Sequence, residues 1–188
     1  AIRTYVESFF NSVDSNVCIG IARAGNVIGG GDYSKDRIIP DCINALIEGQ
    51  PIEIRRPEST RPWQHVLEPI NGYLILARKL YFNQLSEKNQ SWNFGPDLPN
   101  CKPVEYIAKR FSRVAGLKIK ILKEKSKIFK RETHLLRLNN SKAKKILKWK
   151  PKWALNKSLD KILEWNSKGV KSDKQKICLK QIKEYIFL

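Results

Sequence analysis

Val17-Cys18-Ile19-Gly20-Ile21-Ala22-Arg23-Ala24-Gly25-Asn26-Val27-Ile28-Gly29-Gly30-Gly31-Asp32 is the stretch on which the fold turns. Its first six residues are a continuous apolar run bounded by turn formers, the pattern of a strand buried in a parallel sheet. A glycine-rich loop follows over residues 25–32. No Gly-Lys-Ser/Thr comes after it and no G-x-G-x-x-G spacing can be drawn through it, so it is neither a Walker loop nor a dinucleotide fingerprint. Glycines permit a tight turn, and an amide such as Asn26 can both donate and accept hydrogen bonds there. Read alone, the loop is a structural turn or a ligand loop.

Working outward, Ile38, Ile39, Ile43, Leu46 and Ile47 follow helical spacing after the Pro40 boundary, and Ile52-Glu53-Ile54 alternates as a brief strand. Pro69 fits a helix's first turn. Ile70, Tyr73, Leu74, Ala77, Leu80 and Tyr81 then make a regular apolar stripe. A polar loop over residues 84–90 leads to a strand at Ser91-Trp92-Asn93-Phe94, ended by Gly95-Pro96. The next helix starts at Pro103, with Val104, Ile107, Ala108 and Phe111 on one face and Gly116 closing it. Residues 118–122 alternate as a strand. Further helices begin near Ser141 and near Asn156, a good N-cap, and a last one covers 175–186. Strands alternating with helices argue for an α/β fold. Residues 169–174 are the one hinge-like stretch, and they also read as a surface loop. Upstream, Tyr5, Val6, Phe9 and Phe10 are spaced like the end of an amphipathic helix with no cap before it, which reads as a chain cut inside a longer one.

The composition is that of a soluble globular domain, 41% hydrophobic and 29% charged over 188 residues. No run approaches the roughly 20 apolar residues of a membrane span, and the first residues lack a signal-peptide layout. Cys18, Cys42, Cys101 and Cys178 are scattered without a C-x-x-C pair, and His65 and His134 have no metal spacing. Reduced, structural cysteines in a cytoplasm are the expectation. The net charge of +18 is uneven: residues 1–96 sum to zero, and the whole excess lies in 97–188. Polyanion binding is one reading. The other is lysine decorating solvated helix faces, as in Ser141-Lys142-Ala143-Lys144-Lys145-Ile146-Leu147-Lys148-Trp149. No RNA-binding signature or zinc-finger spacing accompanies the lysines, so nucleic acid is not an expected partner.

Ile54-Arg55-Arg56-Pro57-Glu58-Ser59-Thr60-Arg61-Pro62-Trp63-Gln64-His65-Val66 crowds three arginines, a tryptophan and a histidine onto proline-stiffened backbone. Guanidinium groups grip phosphates through paired hydrogen bonds that lysine cannot copy, and an aromatic beside them can cover a base or a sugar. Arginines on a surface loop are the plainer alternative. No Ser/His/Asp set can be assembled around His65. Lys130-Arg131-Glu132-Thr133-His134-Leu135-Leu136-Arg137-Leu138 is a charged entry to a short apolar strand and says nothing more by itself.

Taken together and in order, residues 23–32, Arg37-Ile38-Ile39-Pro40-Asp41, Thr60-Arg61-Pro62-Trp63-Gln64-His65-Val66-Leu67-Glu68-Pro69 and Trp92-Asn93-Phe94-Gly95-Pro96 resemble the second half of the nucleotide-diphosphosugar dehydratases. These belong to the NAD-dependent epimerase/dehydratase group of the extended short-chain dehydrogenase/reductase family. The triple glycine and the Arg-Pro-Trp-Gln-His-Val string set the chain apart from the dTDP-glucose and GDP-mannose branches and toward the branch that uses CDP-glucose. The resemblance fades after about residue 168.

The fold the resemblance implies is the C-terminal part of a Rossmann-type parallel-sheet domain plus a smaller α/β substrate-binding domain. Residues 1–96 would supply Rossmann strands and helices interleaved with substrate-binding segments, and 97–188 a basic, largely helical substrate-binding region. The implied reaction is NAD-dependent: oxidation of the sugar at C4, loss of water, and hydride return to C6, in cytoplasmic deoxysugar biosynthesis for lipopolysaccharide. The family's catalytic Tyr-x-x-x-Lys would precede Ala1, as would the NAD fingerprint, so no catalytic or cofactor-binding residue is expected within the chain. On the substrate side, Asn26 would bond the diphosphosugar, and Arg37 and Ile38 match a strip near the nucleotide. Ile54 and Arg55 match a strand lining the base pocket, Arg61 the arginine that holds the diphosphate, and Asn93 a further nucleotide contact. Glu132 and His134 fall where relatives close over the nucleotide. Asn139-Asn140 stands where relatives usually place an aspartate. The implied partners are CDP-glucose and a second copy of the full-length enzyme, with no membrane. Two alternatives stay open: another epimerase/dehydratase of the family, and a stand-alone basic module for an anionic partner.

Overall fold

The computed structural model describes residues 2–10, 17–85, 90–122, 135–167 and 173–188. β1 (Gly20–Ala24) and β5 (Gln90–Phe94) pair in parallel, with Gly20 opposite Gln90 and Ala24 opposite Phe94. α3 (Leu67–Tyr81) packs on this pair so closely that a Cβ on Gly20 would stand 2.8 Å from Leu80 Cδ1, and one on Gly72 would stand 2.3 Å from Phe94 Cδ1. Glycine is what lets helix and strand approach there. The core between them joins Leu76, Trp92 and Phe94 to Ala143, Leu147 and Trp149. Phe94 meets Trp149 edge-on with ring centres 5.3 Å apart, a preferred aromatic geometry.

A second sheet holds β2 (Asn26–Ile28), β4 (Thr60–His65) and β6 (Cys101–Pro103), with β4 in the middle. The sequence pattern reads residues 25–32 as a loop and leaves 55–66 open between a phosphate-gripping segment and a surface loop, and the strands β2 and β4 correct this. β4 escapes an alternation test because residues 61–65 are all buried, and Pro62 argues against a central strand. The pairing explains the proline. Thr60, Arg61 and Pro62 face β6, whereas Trp63, Gln64 and His65 face β2. Pro62 sits at the changeover between the two partners.

A third, two-stranded sheet pairs β3 (Ile52–Ile54) with β7 (Ile119–Ile121) in parallel. α2 (Ile38–Glu48), α4 (Val104–Ala115) and α5 (Leu155–Ser167) enclose it, burying Ile39, Ile43, Ile52, Ile54, Phe111 and Leu159 in the larger core. α2 starts at Ile38, so Pro40 lies in its first turn rather than before it, which the missing N–H there permits. α2 and α4 both end on left-handed glycines, Gly49 and Gly116, which bear this conformation without Cβ strain. α5 is capped from afar: Leu155 N donates to Asn100 Oδ1 at 3.0 Å, while Asn156, the expected cap, accepts from Tyr106 instead. α6 (Lys174–Ile186) is capped by Asp173, whose carboxylate accepts from Lys176 N at 3.1 Å.

α1 (Ile2–Phe9) buries Val6 and exposes Tyr5 and Phe9. Residues 143–147 form a single wide helical turn of π type, directly after a short α-helical start, rather than a regular helix. Both cores draw residues from either side of residue 96. Among the described residues, no helix is long and apolar enough to cross a membrane.

Candidate functional site

Three strand segments meet beyond Phe94. Its carbonyl oxygen accepts from Gly25 N at 3.2 Å and from Gln64 Nε2 at 2.7 Å. That one oxygen ties the end of β5 to the β1–β2 turn and to β4. Gly25 is required at this junction, since a Cβ would stand 2.6 Å from Pro62 O. The arrangement lies at the carboxyl ends of the parallel strands β1 and β5, where open α/β sheets place their ligands.

Asn26, Arg61 and Asn93 lie on β2, β4 and β5, the strands that meet here. Asn26 begins β2 opposite Trp63, two residues along β4 from Arg61. Arg61 is only 7% exposed, and its Nη1 donates to Thr60 O at 2.9 Å, so it is no ordinary surface cation. Asn93 donates from Nδ2 to Asn139 O at 3.1 Å, while its Oδ1 is buried without a hydrogen-bond partner. Asn140, on the segment where relatives favour an aspartate, holds the loop after β5: Nδ2 donates to Gly95 O at 2.8 Å and to Asp97 Oδ1 at 3.1 Å.

Arg37, Ile38, Ile54 and Arg55 form a second group around the start of α2. Arg37 pairs with Asp32 at 3.4 Å, and Arg55 pairs with Asp36. Hydrogen bonds from Ser34 and Arg37 hold the Asp32 carboxyl below its usual range, although partial desolvation, the largest influence on it, acts in the opposite sense. Ile54 is 2% exposed, and its carbonyl accepts from Leu122 N at 2.8 Å. Its side chain faces the core and only Arg55 of this pair faces out. Glu132 and His134 lie outside the described residues.

His65 is buried and sits against Trp153, with ring centres 4.8 Å apart. Its Nδ1 accepts from Leu67 N at 3.3 Å, which places the proton on Nε2. Burial, helped by the Lys161 cation, pulls its pKa down to about 4. The imidazole is neutral and enclosed, with its one hydrogen-bonded nitrogen taken by Leu67 N and its buried Nε2 without a hydrogen-bond partner.

The residue the sequence did not flag is Glu68. It is fully buried and accepts hydrogen bonds from Lys152 N, Trp153 N and Tyr185 Oη, the last at 2.7 Å. Burial raises its pKa above the usual carboxylate range against these bonds, and desolvation pushes the Tyr185 phenol up as well, with the carboxylate adding to it. An acid in a helix's first turn is ordinarily solvated, so nothing local singles Glu68 out. Some of the lysines after residue 96 answer acids on a neighbouring helix: Lys157 and Lys161 contact Glu184, and Lys180 contacts Glu164.

The glycine turn at Gly25 is not a dinucleotide fingerprint. The turn at Gly25 leads into β2 instead of a helix, so no helix N-terminus backs it to receive a pyrophosphate. Among the described residues, no cluster of His, Cys, Asp and Glu could hold a metal ion.

The fold is similar to that of the C-terminal part of the NAD-dependent sugar-nucleotide dehydratases and epimerases. It superposes on dTDP-glucose 4,6-dehydratase from Bacillus anthracis, solved with NAD, at a TM-score of 0.71 and 17% identity, over 89% of this chain and 48% of that one. UDP-glucose 4-epimerase from Thermotoga maritima, solved with UDP-glucose, gives 0.70 at 20% identity over 88% and 50%. Likeness at such identities speaks for the fold alone. In sequence, the chain is similar to the C-terminal half of a particular enzyme: it is 39% identical over 183 residues to CDP-glucose 4,6-dehydratase from Salmonella typhimurium. That match takes in 95% of this chain and 50% of the relative, so the chain spans about half the relative's length. No protein-family model matches the chain.

Proposed function

We propose that this chain is the substrate-gripping half of a cytoplasmic nucleotide-sugar 4,6-dehydratase that converts CDP-glucose to CDP-4-dehydro-6-deoxyglucose. The observation that supports this most is the sequence match running along 95% of the chain. The catalytic tyrosine–lysine pair and the NAD site belong to the other half of the enzyme in this reading. The residues here hold the diphosphosugar: Arg61 grips the diphosphate, Asn26 and Asn93 bond it from the adjacent strand ends, and Arg37, Ile38 and Arg55 flank the nucleotide. Ile54 contributes by fixing Arg55, and Glu132 and His134 stay candidate nucleotide contacts by resemblance alone. The division of labour follows the two cores. The core around Trp92 and Phe94 belongs with the dinucleotide domain, and the core around Ile52 and Phe111 is the substrate lobe. The full-length enzyme pairs as a homodimer, with Tyr5 and Phe9 of α1 on the pairing helix.

Calorimetry on the 188-residue chain tests this. CDP-glucose and CDP are expected to bind, UDP-glucose and dTDP-glucose more weakly, and NAD without measurable heat. Arg61→Ala should cost roughly 2–3 kcal/mol, the range for hydrogen bonds to charged groups, or about 30- to 150-fold in affinity. Arg61→Lys should recover only part, because an ammonium keeps the charge and loses the planar fork. Equal affinities in all three proteins would mean that Arg61 is no phosphate ligand. In a separate assay the chain alone should form no 4-keto sugar with NAD present, and turnover would place the catalytic groups within these residues after all.

A further inference from the structure

Gly30 and Gly31 lie against the indole of Trp165, on α5. A Cβ at Gly30 would fall 2.2 Å from Trp165 Cγ and 2.7 Å from its Cβ, and one at Gly31 would fall 3.3 Å from Cζ2 and 3.4 Å from Cη2. The two glycines therefore follow the indole from its root to its far edge. A side chain at Gly30 would meet the root of the tryptophan, the part least able to swing aside. Nor can the helix withdraw, because Leu159 and Ile162 of α5 are fully buried in the larger core. Lys174 fixes the indole further: its Nζ lies 4.4 Å over the ring and donates to Trp165 O at 2.7 Å. Gly31 has φ +80°, a left-handed conformation that glycine adopts without strain. The triple glycine is therefore shaped by a tryptophan it must accommodate, and a phosphate need not be what it cradles.

The same loop leads from Asn26 to Arg37. On its far side Asp32 accepts from Ser34 N at 3.0 Å and pairs with Arg37. We infer that Trp165 is a positioning residue of the substrate site: by seating the Gly30–Gly31 turn it sets the path of the loop, and so the places of Asn26 and Arg37. This rests on the proposal that those two residues contact a CDP-sugar. The seat lies on the C-terminal helical region and the loop beside β2, so α5 becomes part of the substrate machinery without touching ligand.

The test uses the 188-residue chain as wild type, Gly30→Ala, Trp165→Ala, Trp165→Phe and the Gly30→Ala/Trp165→Ala double variant. Hydrogen exchange over residues 25–38 and the affinity for CDP-glucose are measured for each. Gly30→Ala and Trp165→Ala should each speed exchange in that loop. Each should also weaken CDP-glucose on the order of tenfold to a hundredfold, the scale of a misplacement of about 1 Å in a site. Trp165→Phe should keep most of the affinity. Above all, Gly30→Ala should cost much less once Trp165 is alanine than it does in wild type, because the contacts with the ring carbons are gone and only the 2.7 Å approach to the Cβ is left. Additive losses in the double variant would overturn the inference, and so would a loosened loop with unchanged affinity, which would make Trp165 a packing residue only. If wild type binds no CDP-glucose, the proposed function fails first; if wild type binds and the variants match it, only the role of Trp165 fails.

Discussion

Replacing Glu68 with alanine is expected to cost roughly 3–5 kcal/mol of stability, a large share of the 5–15 kcal/mol typical of a domain. The carboxylate is fully buried and receives Lys152 N, Trp153 N and Tyr185 Oη. Alanine leaves three buried donors without an acceptor, and each unsatisfied group costs about 1–3 kcal/mol, with partial relief where water reaches the gap. These donors join three parts of the chain: the start of α3, the segment over residues 149–153, and α6. Trp149 Nε1 adds a bond to the Glu68 backbone carbonyl at 3.1 Å, which the substitution leaves in place. Glu68→Gln is expected to be much milder, at about 1–2 kcal/mol. Its carbonyl can still receive Trp153 N, and its amide can donate to the Tyr185 oxygen once that hydroxyl hydrogen rotates away. Urea denaturation of the three proteins gives the comparison. Alanine and glutamine variants within 1 kcal/mol of each other would show that the buried acceptor is not what holds these segments together.

What the sequence revealed of the fold followed its periodicity, and what it hid lay in pairings between distant segments. α4 with its Gly116 terminator, β3, β7 and α6 stand where apolar spacing and capping chemistry put them. β2 and β4 did not register: β2 is only three residues long, while β4 is buried on both faces, which leaves no alternation, and contains a proline. α3 was legible as a helix, but its buried face was not. Ile70, Tyr73, Leu74 and Tyr81 of the apparent stripe are exposed, and the helix instead buries Glu68, Pro69, Gly72 and Leu76. Proline, glycine and glutamate do not look like a core face until Phe94 is seen to need the space at Gly72. For the candidate site, residue types drew attention to Arg61 and Asn26, but only a family resemblance joined them to Asn93, since β1–β5 pairing spans a long separation in sequence. Glu68 and Trp165 carried no local signal. A glutamate early in a helix and a tryptophan late in one are ordinary, and their roles come from Tyr185 and Gly30, far away along the chain.

Acid should weaken the protein through His65, and by an amount that one substitution isolates. In the fold its pKa lies at about 4, pulled down first by burial and then by Lys161, against about 6.5 in an unfolded chain. Between those two values the unfolded chain takes up a proton that the folded one refuses. The stability linked to His65 is therefore fully present above about pH 6.5, falls as pH drops toward 4, and changes no further below that. At 1.36 kcal/mol for each pKa unit, the loss is roughly 3 kcal/mol. Other groups packed nearby titrate over the same range. Glu68 has a raised pKa, so it works in the opposite sense, gaining protons more readily when folded and adding stability as pH falls. Glu164, held at about 2 by Lys180 and Lys161, loses its contribution below its ordinary value, as in acid denaturation generally. The difference between wild type and His65→Gln removes these shared effects. Glutamine takes up no proton at this position. Urea denaturation from about pH 7.5 to about pH 4.5 should show the wild type losing more stability than the variant, with the gap opening below about pH 6.5. Parallel curves would mean that the His65 ring is protonated in the folded protein as easily as in the unfolded one, and that the packing of its ring against Trp153 does not exclude the charge.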